Sequence, residues 1–295
     1  MHPPCGSRRS FSHFMLTVLS VLALSVSCSP PVQKPTGPAY DYDAAKDMFR
    51  RGRFDKAIEF SDALATASPP NAFTERAQVL RAVIFSGRLR AYKELEGAYD
   101  KGATTTKNPR FEAEYQRLRH DNLQMAGQSA LALAETAHQL SVSGTLPKEV
   151  TLEASYPTTE GPIELAELEK VRQGAWIEPD AQDAVANQAV FKGIDDALAD
   201  VVSGDRSKAR NALAAGSTKL DGVSFALYVG KGLVDGAVMF DRKHGRDSQR
   251  LKTMCTEADE IVKAALALLK DNPNKDKEKD VKKLQDQIKT TLRNL

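Results

Sequence analysis

The sequence predicts an all-α protein of about ten helices, paired as antiparallel hairpins, with a loop-rich segment in the middle. From Tyr40 onward, apolar residues recur at the three- and four-residue spacing of amphipathic helices almost throughout. Alanine is abundant, whereas the 295 residues include only 7 Tyr, 11 Phe and 1 Trp, a composition typical of closely packed helices. Short glycine-containing turns, such as Arg51-Gly52-Arg53, divide the helical pattern into pairs.

The N-terminal residues have the three parts of an export signal. Arg8 and Arg9 precede an apolar run over residues 14–26, and small residues follow it. The run is about 13 residues long, shorter than the ~20 that a membrane-spanning helix needs. It also has neither a polar face nor a helix cap, which argues against a buried amphipathic helix. We therefore predict a signal peptide over residues 1–27.

The end of this signal resembles a bacterial lipobox, Leu24-Ser25-Val26-Ser27-Cys28, although serine stands at position 25 where the family favours an aliphatic residue. The resemblance implies that Cys28 is lipid-modified and becomes the new N-terminus. The segment over residues 7–11 also resembles a twin-arginine export motif, without the aliphatic and basic residues that normally follow. Ser29 follows the cysteine instead of aspartate. By resemblance to enterobacterial sorting, we expect an outer-membrane lipoprotein facing the periplasm, and the alternatives are ordinary cleaved secretion or a misread start.

Composition limits the classes of partner and chemistry. Removing residues 1–27 from the 295 leaves 268, enough for one large domain or two small ones. The 41 Lys and Arg nearly balance the 39 Asp and Glu, so no strong positive field is available to recruit nucleic acid. Cys255 is the one cysteine of the body, placed on the apolar stripe of a helix. We expect a buried, inert thiol there.

The mature chain is predicted to have four parts. Residues 28–39 are rich in proline and form a tether, and residues 40–141 form a first helical half. Residues 142–162 are a loop-rich connection that contains EVTLEAS, a candidate short strand or extended loop. Residues 163–295 form a second helical half. Its last helix has a narrow apolar seam typical of a terminal cap.

The start of the first half resembles a tetratricopeptide repeat. That family places small residues in both helices, a glycine at the turn, an aromatic residue just after it, and a proline at the end. The matching residues are Ala45, Gly52, Phe54, Ala57 and Pro69. The resemblance implies an α-solenoid or curved helical array that binds proteins, and no chemistry. The alternative is a helical domain with one chance turn-and-alanine pattern.

A second period of the same pattern is weaker. Gly87 follows Gly52 by 35 residues, close to the 34-residue period of the family. Leu89 takes the aromatic position and Tyr92 the position of a small residue. We expect Gly87 to turn the chain between two helices, and Gly204 with Ala209 gives a fainter third repeat.

The sequence contains no constellation typical of an enzyme, a metal site or a cofactor. His120 and His138 lie 18 residues apart, without a zinc-binding spacing. The glycines of YVGKGLVDG lack the spacing of a phosphate loop and indicate close helix packing instead. Four aspartates near one helix end indicate a solvated face: Asp195, Asp196, Asp200 and Asp205.

Two functions follow from these patterns, neither of them enzymatic. The first is a lipid-anchored adaptor that holds a protein partner in an envelope assembly, secretion or transport complex. The second is a periplasmic lipoprotein that binds a small or apolar ligand for an associated transporter. An adaptor should expose a strip of aromatic and aliphatic side chains, whereas a ligand binder should enclose an apolar pocket. Trp176, between two helices, either plugs the seam between the halves or lines a groove.

Overall fold

A computed structural model describes residues 36–142, 146–159, 165–202 and 204–293. The predicted signal peptide, Cys28 and residues 28–35 of the predicted tether lie outside these ranges. From Gly37 onward the chain forms one compact unit.

Ten α-helices and one two-stranded sheet make up this unit over the described ranges, which confirms the all-α class. Two short 3-10 turns, Val238–Phe240 and Arg242–His244, follow the eighth helix. The helices are α1 (Pro38–Arg50), α2 (Phe54–Ala65), α3 (Thr74–Thr105), α4 (Pro109–Val142), α5 (Ala166–Arg172), α6 (Pro179–Val202), α7 (Arg206–Leu213), α8 (Gly222–Ala237), α9 (Ser248–Asp271) and α10 (Lys275–Arg293).

The sheet joins two distant parts of the chain. Strand β1 (Glu149–Leu152) pairs antiparallel with β2 (Thr218–Asp221), and Val150 lies opposite Leu220. The segment EVTLEAS thus does contain a strand. The sequence pattern did not predict β2, because TKLD is too short and too polar to show a period of two.

The predicted boundary at residues 142–162 does not separate two hydrophobic cores. One cluster of buried side chains includes Phe49 and Leu80 from the first predicted half, and Ile194, Leu233 and Ile261 from the second. The long helices α3 and α4 pack along each other, and α3 also packs against α6. The two predicted halves therefore share one core.

Glu153, just after β1, ties the first helices to the sheet. Its carboxylate accepts hydrogen bonds from Lys46 Nζ at 2.9 Å and from Arg76 Nη1 at 2.8 Å. Tyr42 donates its hydroxyl to the Glu153 carbonyl at 3.3 Å. One residue of the middle segment thus holds both α1 and α3.

Aspartates begin three of the helices in the second half. The side chains of Asp205, Asp221 and Asp247 each accept a hydrogen bond from a backbone N–H in the first turn of α7, α8 and α9. Each such cap satisfies a donor that the helix itself leaves unpaired. Asp205 therefore caps the start of α7.

Helix α8 is apolar along most of its length, and most of its residues are buried. The segment Gly222–Phe240, which comprises α8 and the 3-10 turn after it, is long and apolar enough to cross a membrane. However, 72% of its apolar stretch is buried inside the fold. Its glycines lie against neighbouring helices: a Cβ on Gly232 would come within 2.9 Å of Leu133, and one on Gly236 within 2.8 Å of Met254. The prediction of close helix packing at these glycines is confirmed, and the burial is that of a core helix.

The prediction that Gly87 turns the chain is wrong. Thr74–Thr105 is one continuous helix, and Gly87 lies buried in its middle. A Cβ on Gly87 would come within 2.8 Å of the Ile194 Cα on α6, and a Cβ on Gly193 would overlap the Gly87 carbonyl oxygen. Gly87 and Gly193 therefore let the backbones of α3 and α6 touch, a use of glycine that a turn-like sequence does not distinguish.

The last helix, α10, has the narrow apolar seam that its sequence predicts. Val281, Leu284 and Ile288 are buried against α8 and α9, while Leu292 is exposed. The remaining side chains of the helix are polar.

Replacing Gly193 with alanine tests the contact between α3 and α6. The new methyl group meets the Gly87 carbonyl and Ala91, so we expect Gly193→Ala to lower the free energy of unfolding by about 1–3 kcal/mol. The measurement is urea denaturation. Gly97→Ala is the matched control, since Gly97 is an exposed residue of α3 with open space around it. That control should gain roughly 0.5–1 kcal/mol from helix propensity. Equal effects of the two substitutions would contradict a tight crossing.

Candidate binding site at the first helical turn

A cleft of about 300 Å³ opens where the turn between α1 and α2 meets α3 and α6. It brings together residues from both predicted halves of the chain. We call it the turn cleft, and its lining residues are Gly52, Arg53, Phe54, Asp55, Lys56, Arg88, Tyr92, Asn187, Val190 and Phe191.

Gly52 gives the cleft its shape. It has φ +70, in the left-handed region that favours glycine. A Cβ at this position would also overlap the ring of Phe191. The glycine that the repeat pattern places at the turn therefore has a second role, because it lets the ring from α6 sit directly against the turn.

Aromatic rings form the apolar wall. Phe54 is 5% exposed and meets Phe191 edge-on, with ring centroids 5.1 Å apart. Phe49 meets the other side of Phe54 at 5.6 Å. Phe191 and Tyr92 are half-buried. A ligand entering the cleft thus meets rings that are fixed by the core on one side.

The charged wall holds three cations and one carboxylate. Arg88 donates to Asp55 at 2.6 Å, and its guanidinium lies 5.6 Å from the centre of the Tyr92 ring. Lys56 pairs with Glu59 on its own helix at 2.6 Å. Arg53 is exposed and has no ion-pair or hydrogen-bond partner for its side chain among the described residues. Arg53 is therefore the cation of this cleft that is free to meet an anionic group.

Four residues of the repeat pattern lie in the first helix pair and its turn: Ala45, Gly52, Phe54 and Ala57. Ala45 and Ala57 are fully buried and face the core between the first helices. Phe54 packs between Phe49 and Phe191, as described above. Pro69 is exposed in the loop after α2 and does not line the cleft. Gly87 lies at the helix crossing instead of at a second turn.

Trp176 packs across the seam between the two predicted halves. It stacks on Phe111 of α4 with ring centroids 5.0 Å apart and on Tyr115 at 6.3 Å. Tyr115 in turn donates its hydroxyl to the carbonyl of Ala175. Trp176 does not line the turn cleft. The geometry therefore favours the first of its two predicted roles, in which Trp176 fills the seam between the two predicted halves.

The residues considered for metal or nucleophilic chemistry are not brought together. Over the described ranges, no three His, Cys, Asp or Glu side chains form a group able to hold a metal ion. His120 contacts Gln124, and His138 lies 3.3 Å from Glu257. Cys255 is fully buried, and burial raises the pKa of its thiol to about 11. A thiol of that pKa is a poor nucleophile, as the apolar stripe around it predicts.

Asp195 does not lie on the solvated face that its sequence predicts. It is 5% exposed, accepts a hydrogen bond from the Tyr156 hydroxyl, and lies 3.1 Å from Arg206 and 3.7 Å from Arg210. The Arg210 guanidinium also stacks over the Tyr156 ring. This cluster fixes the segment after β1 onto α6 and α7. The partners of Asp195 are residues 156, 206 and 210, and Tyr156 is 39 residues away in the sequence, too far for a local pattern to reveal it.

No known family model, no curated protein sequence and no solved structure matches this chain. We therefore infer its function from its own residues and their geometry.

The neighbouring carboxylates Asp195 and Asp196 are expected to contribute to stability with opposite dependence on pH. Burial raises the pKa of Asp195. The stability contributed by its protonation is therefore fully present below the ordinary aspartate range and lost as pH rises through the raised pKa. For Asp196, burial alone would raise the pKa, but hydrogen bonds from Arg206 and Lys192 outweigh it and lower the pKa. Its contribution is present above the ordinary range and lost as pH falls through the lowered pKa.

The measurement is the free energy of unfolding between about pH 3 and pH 8 for the wild type, Asp195→Asn and Asp196→Asn. The difference between wild type and Asp195→Asn should fall as pH rises, and the difference for Asp196→Asn should rise. Parallel differences for the two variants would contradict the buried environment of Asp195.

Proposed function

We propose that this chain is a lipid-anchored adaptor of the bacterial envelope, whose helical domain binds a segment of a partner protein in the turn cleft. The sequence supports the anchor through the signal-like N-terminus, the lipobox-like residues before Cys28 and the proline-rich tether. In this proposal the domain stands away from the membrane and presents the cleft to its partner.

 The observation that carries the proposal is the unpaired Arg53 beside the half-buried rings of Tyr92 and Phe191.

The rest of the described surface offers little apolar area to a partner. Tyr40, Val238 and Leu292 are the exposed large apolar side chains among the described residues. The strip of exposed aromatic and aliphatic side chains that we expected of an adaptor is therefore not found there. A partner that binds this part of the chain through apolar contacts has the rings of the turn cleft available to it.

The chemistry of the cleft favours a particular kind of segment. Arginine and aromatic side chains are enriched among the residues that dominate the binding energy of protein interfaces. An acidic side chain of the partner would meet Arg53, and a neighbouring apolar or aromatic side chain would pack on Phe191 and Tyr92. We therefore propose an extended segment in which an acidic residue lies beside an apolar one.

The alternative, a carrier of a small apolar ligand, finds less support in the cavities. The turn cleft is bordered by the exposed residues Asp55 and Asn187 and is not enclosed. A groove of about 1020 Å³ runs along α10, and apart from Val234 its lining is charged or polar. An apolar ligand would be better served by an enclosed apolar pocket.

Lipid attachment is tested with labelled palmitate. We expect the label to enter the wild-type protein and to be absent from Cys28→Ala, because the thiol is the site of attachment. The measurement is radiolabel or click detection on the purified protein, with its membrane fraction compared in parallel. Label in the Cys28→Ala protein would refute lipidation at this residue.

Partner binding is tested by photo-crosslinking in native membranes, with a photoreactive residue at Asn187 on the rim of the cleft. We expect an adduct with one protein, lost in Arg53→Glu because the acidic group of the partner then meets a negative charge. Arg242→Glu is the matched control, since Arg242 is exposed, lies outside the cleft and changes the net charge equally. An adduct that is equally abundant in both variants, or that contains no protein, would contradict the proposal.

A further inference from the structure

A second cavity, separate from the turn cleft, lies between α3 and α8 and has a volume of about 180 Å³. Ser86, Leu89, Arg90 and Lys93 line it from α3, at the spacing of one helix face. Gly232 and Asp235 line it from α8. Gly232 lies close to Ser86 across the helix pair: a Cβ on Gly232 would come within 3.5 Å of Ser86 Oγ.

Two buried hydroxyl groups, those of Ser86 and Tyr228, lie next to each other at this place. Ser86 is 1% exposed and Tyr228 is 6% exposed. Within the described part of the chain, neither Ser86 Oγ nor the Tyr228 hydroxyl makes a hydrogen bond of normal geometry, although the two hydroxyls are close enough for Ser86 to act on the pKa of Tyr228. Tyr228 lies one helical turn before Gly232 and beside Ser86, which lines the cavity, so its hydroxyl is adjacent to the cavity wall. Because an unmade buried hydrogen bond costs free energy, two neighbouring ones point to a polar group that is held there.

The side chains at the inner end of the cavity suit an anionic group. Arg90 pairs with Asp200 through Nη1 at 2.6 Å, which leaves its other donors for a ligand. Burial raises the pKa of Tyr228 to about 12, so its hydroxyl stays a neutral donor at physiological pH. Ser86 and Arg90, which line the cavity, and the adjacent Tyr228 are all hydrogen-bond donors suited to an oxyanion.

The outer end of the cavity carries a lysine and a carboxylate. Lys93 donates to the backbone carbonyl of Asp235 at 3.4 Å, and the Asp235 carboxylate has no ion-pair partner among the described residues. Asp235 is exposed, whereas Ser86 and Gly232 are buried. A ligand would thus meet hydroxyls and a guanidinium inside, Leu89 along its length, and a carboxylate at the mouth.

We propose that this cavity is a binding site for a small aliphatic carboxylate. A volume of 180 Å³ corresponds to about six water molecules at their liquid volume, and hence to a compound of about six non-hydrogen atoms. The carboxylate accepts hydrogen bonds from Ser86, Tyr228 and Arg90, and the aliphatic part contacts Leu89. A small amino acid and a short organic acid share this chemistry. They differ at the mouth, where the ammonium group of an amino acid would meet Asp235.

The test is a calorimetric titration of the full chain with L-alanine, propionate and inorganic phosphate. We expect saturable binding of at least one of the two carboxylates. Tighter binding of alanine identifies the amino-acid class, and equal or tighter binding of propionate identifies the organic-acid class. Saturable binding of phosphate alone, or of none of the three, would overturn the proposal.

Two conservative variants locate the site. Ser86→Ala and Tyr228→Phe each remove one unpartnered hydroxyl, and we expect the Kd of the carboxylate to rise about tenfold in each. Both variants should fold, because no internal hydrogen bond is lost, and their unliganded melting temperatures should be unchanged or higher. Ser129→Ala is the matched control: Ser129 is also buried, but its hydroxyl donates to the Met125 carbonyl at 2.8 Å, away from this cavity.

The control should keep the wild-type Kd. If Ser86→Ala and Tyr228→Phe also keep it, the hydroxyls hold at most an ordered water and the proposal is wrong. The outcome is independent of the adaptor proposal, since neither Ser86 nor Tyr228 lines the turn cleft.

Discussion

The contact between the backbones of α3 and α6 at Gly87 and Gly193 is the constraint on which the arrangement of this domain depends. Helices that carry side chains at their crossing are held 8–10 Å apart, and glycine at the crossing permits a closer approach. Here the approach brings Ile194 and Ala91 into contact with the opposite backbone. This contact joins residues 40–141 to residues 163–295, which the sequence pattern predicts to be two separate halves.

The turn cleft is a consequence of that crossing. Helix α6 carries Asn187, Val190 and Phe191 one or two turns before Gly193, so its position on α3 sets where these side chains lie. Arg88 and Tyr92 occupy the corresponding stretch of α3, just after Gly87. The α1–α2 turn then closes the cleft from the third side, where Gly52 leaves room for the Phe191 ring. A cleft built from long helices on two sides is a comparatively rigid frame for a binding site.

Local patterns in the sequence were sufficient for the helices themselves. The apolar spacing in α9 and α10 correctly predicted which faces are buried, including Cys255 and the seam from Val281 to Ile288. The same reasoning failed where contacts between distant residues determine the local conformation or the burial of a side chain. Ser86-Gly87-Arg88 has the residues of a turn, yet packing against α6 keeps it helical. Asp195 has the composition of a solvated helix end, yet Tyr156 and two arginines cover it. Likewise, the turn cleft could not be predicted as a whole, because Gly52 and Phe191 are 139 residues apart.

The contacts of Glu153 have a consequence for the order in which the chain can fold. The partner of Lys46 lies 107 residues further along the sequence, and the strand β1 beside it needs β2, which lies later still. Contacts between distant residues form only after the intervening chain is available, and they slow folding relative to local helix contacts. Helices α1 and α2 are among the first of the described elements to be synthesised, yet their packing is completed by residues 153 and 191. The beginning of this domain is therefore among the last parts to reach its final surroundings.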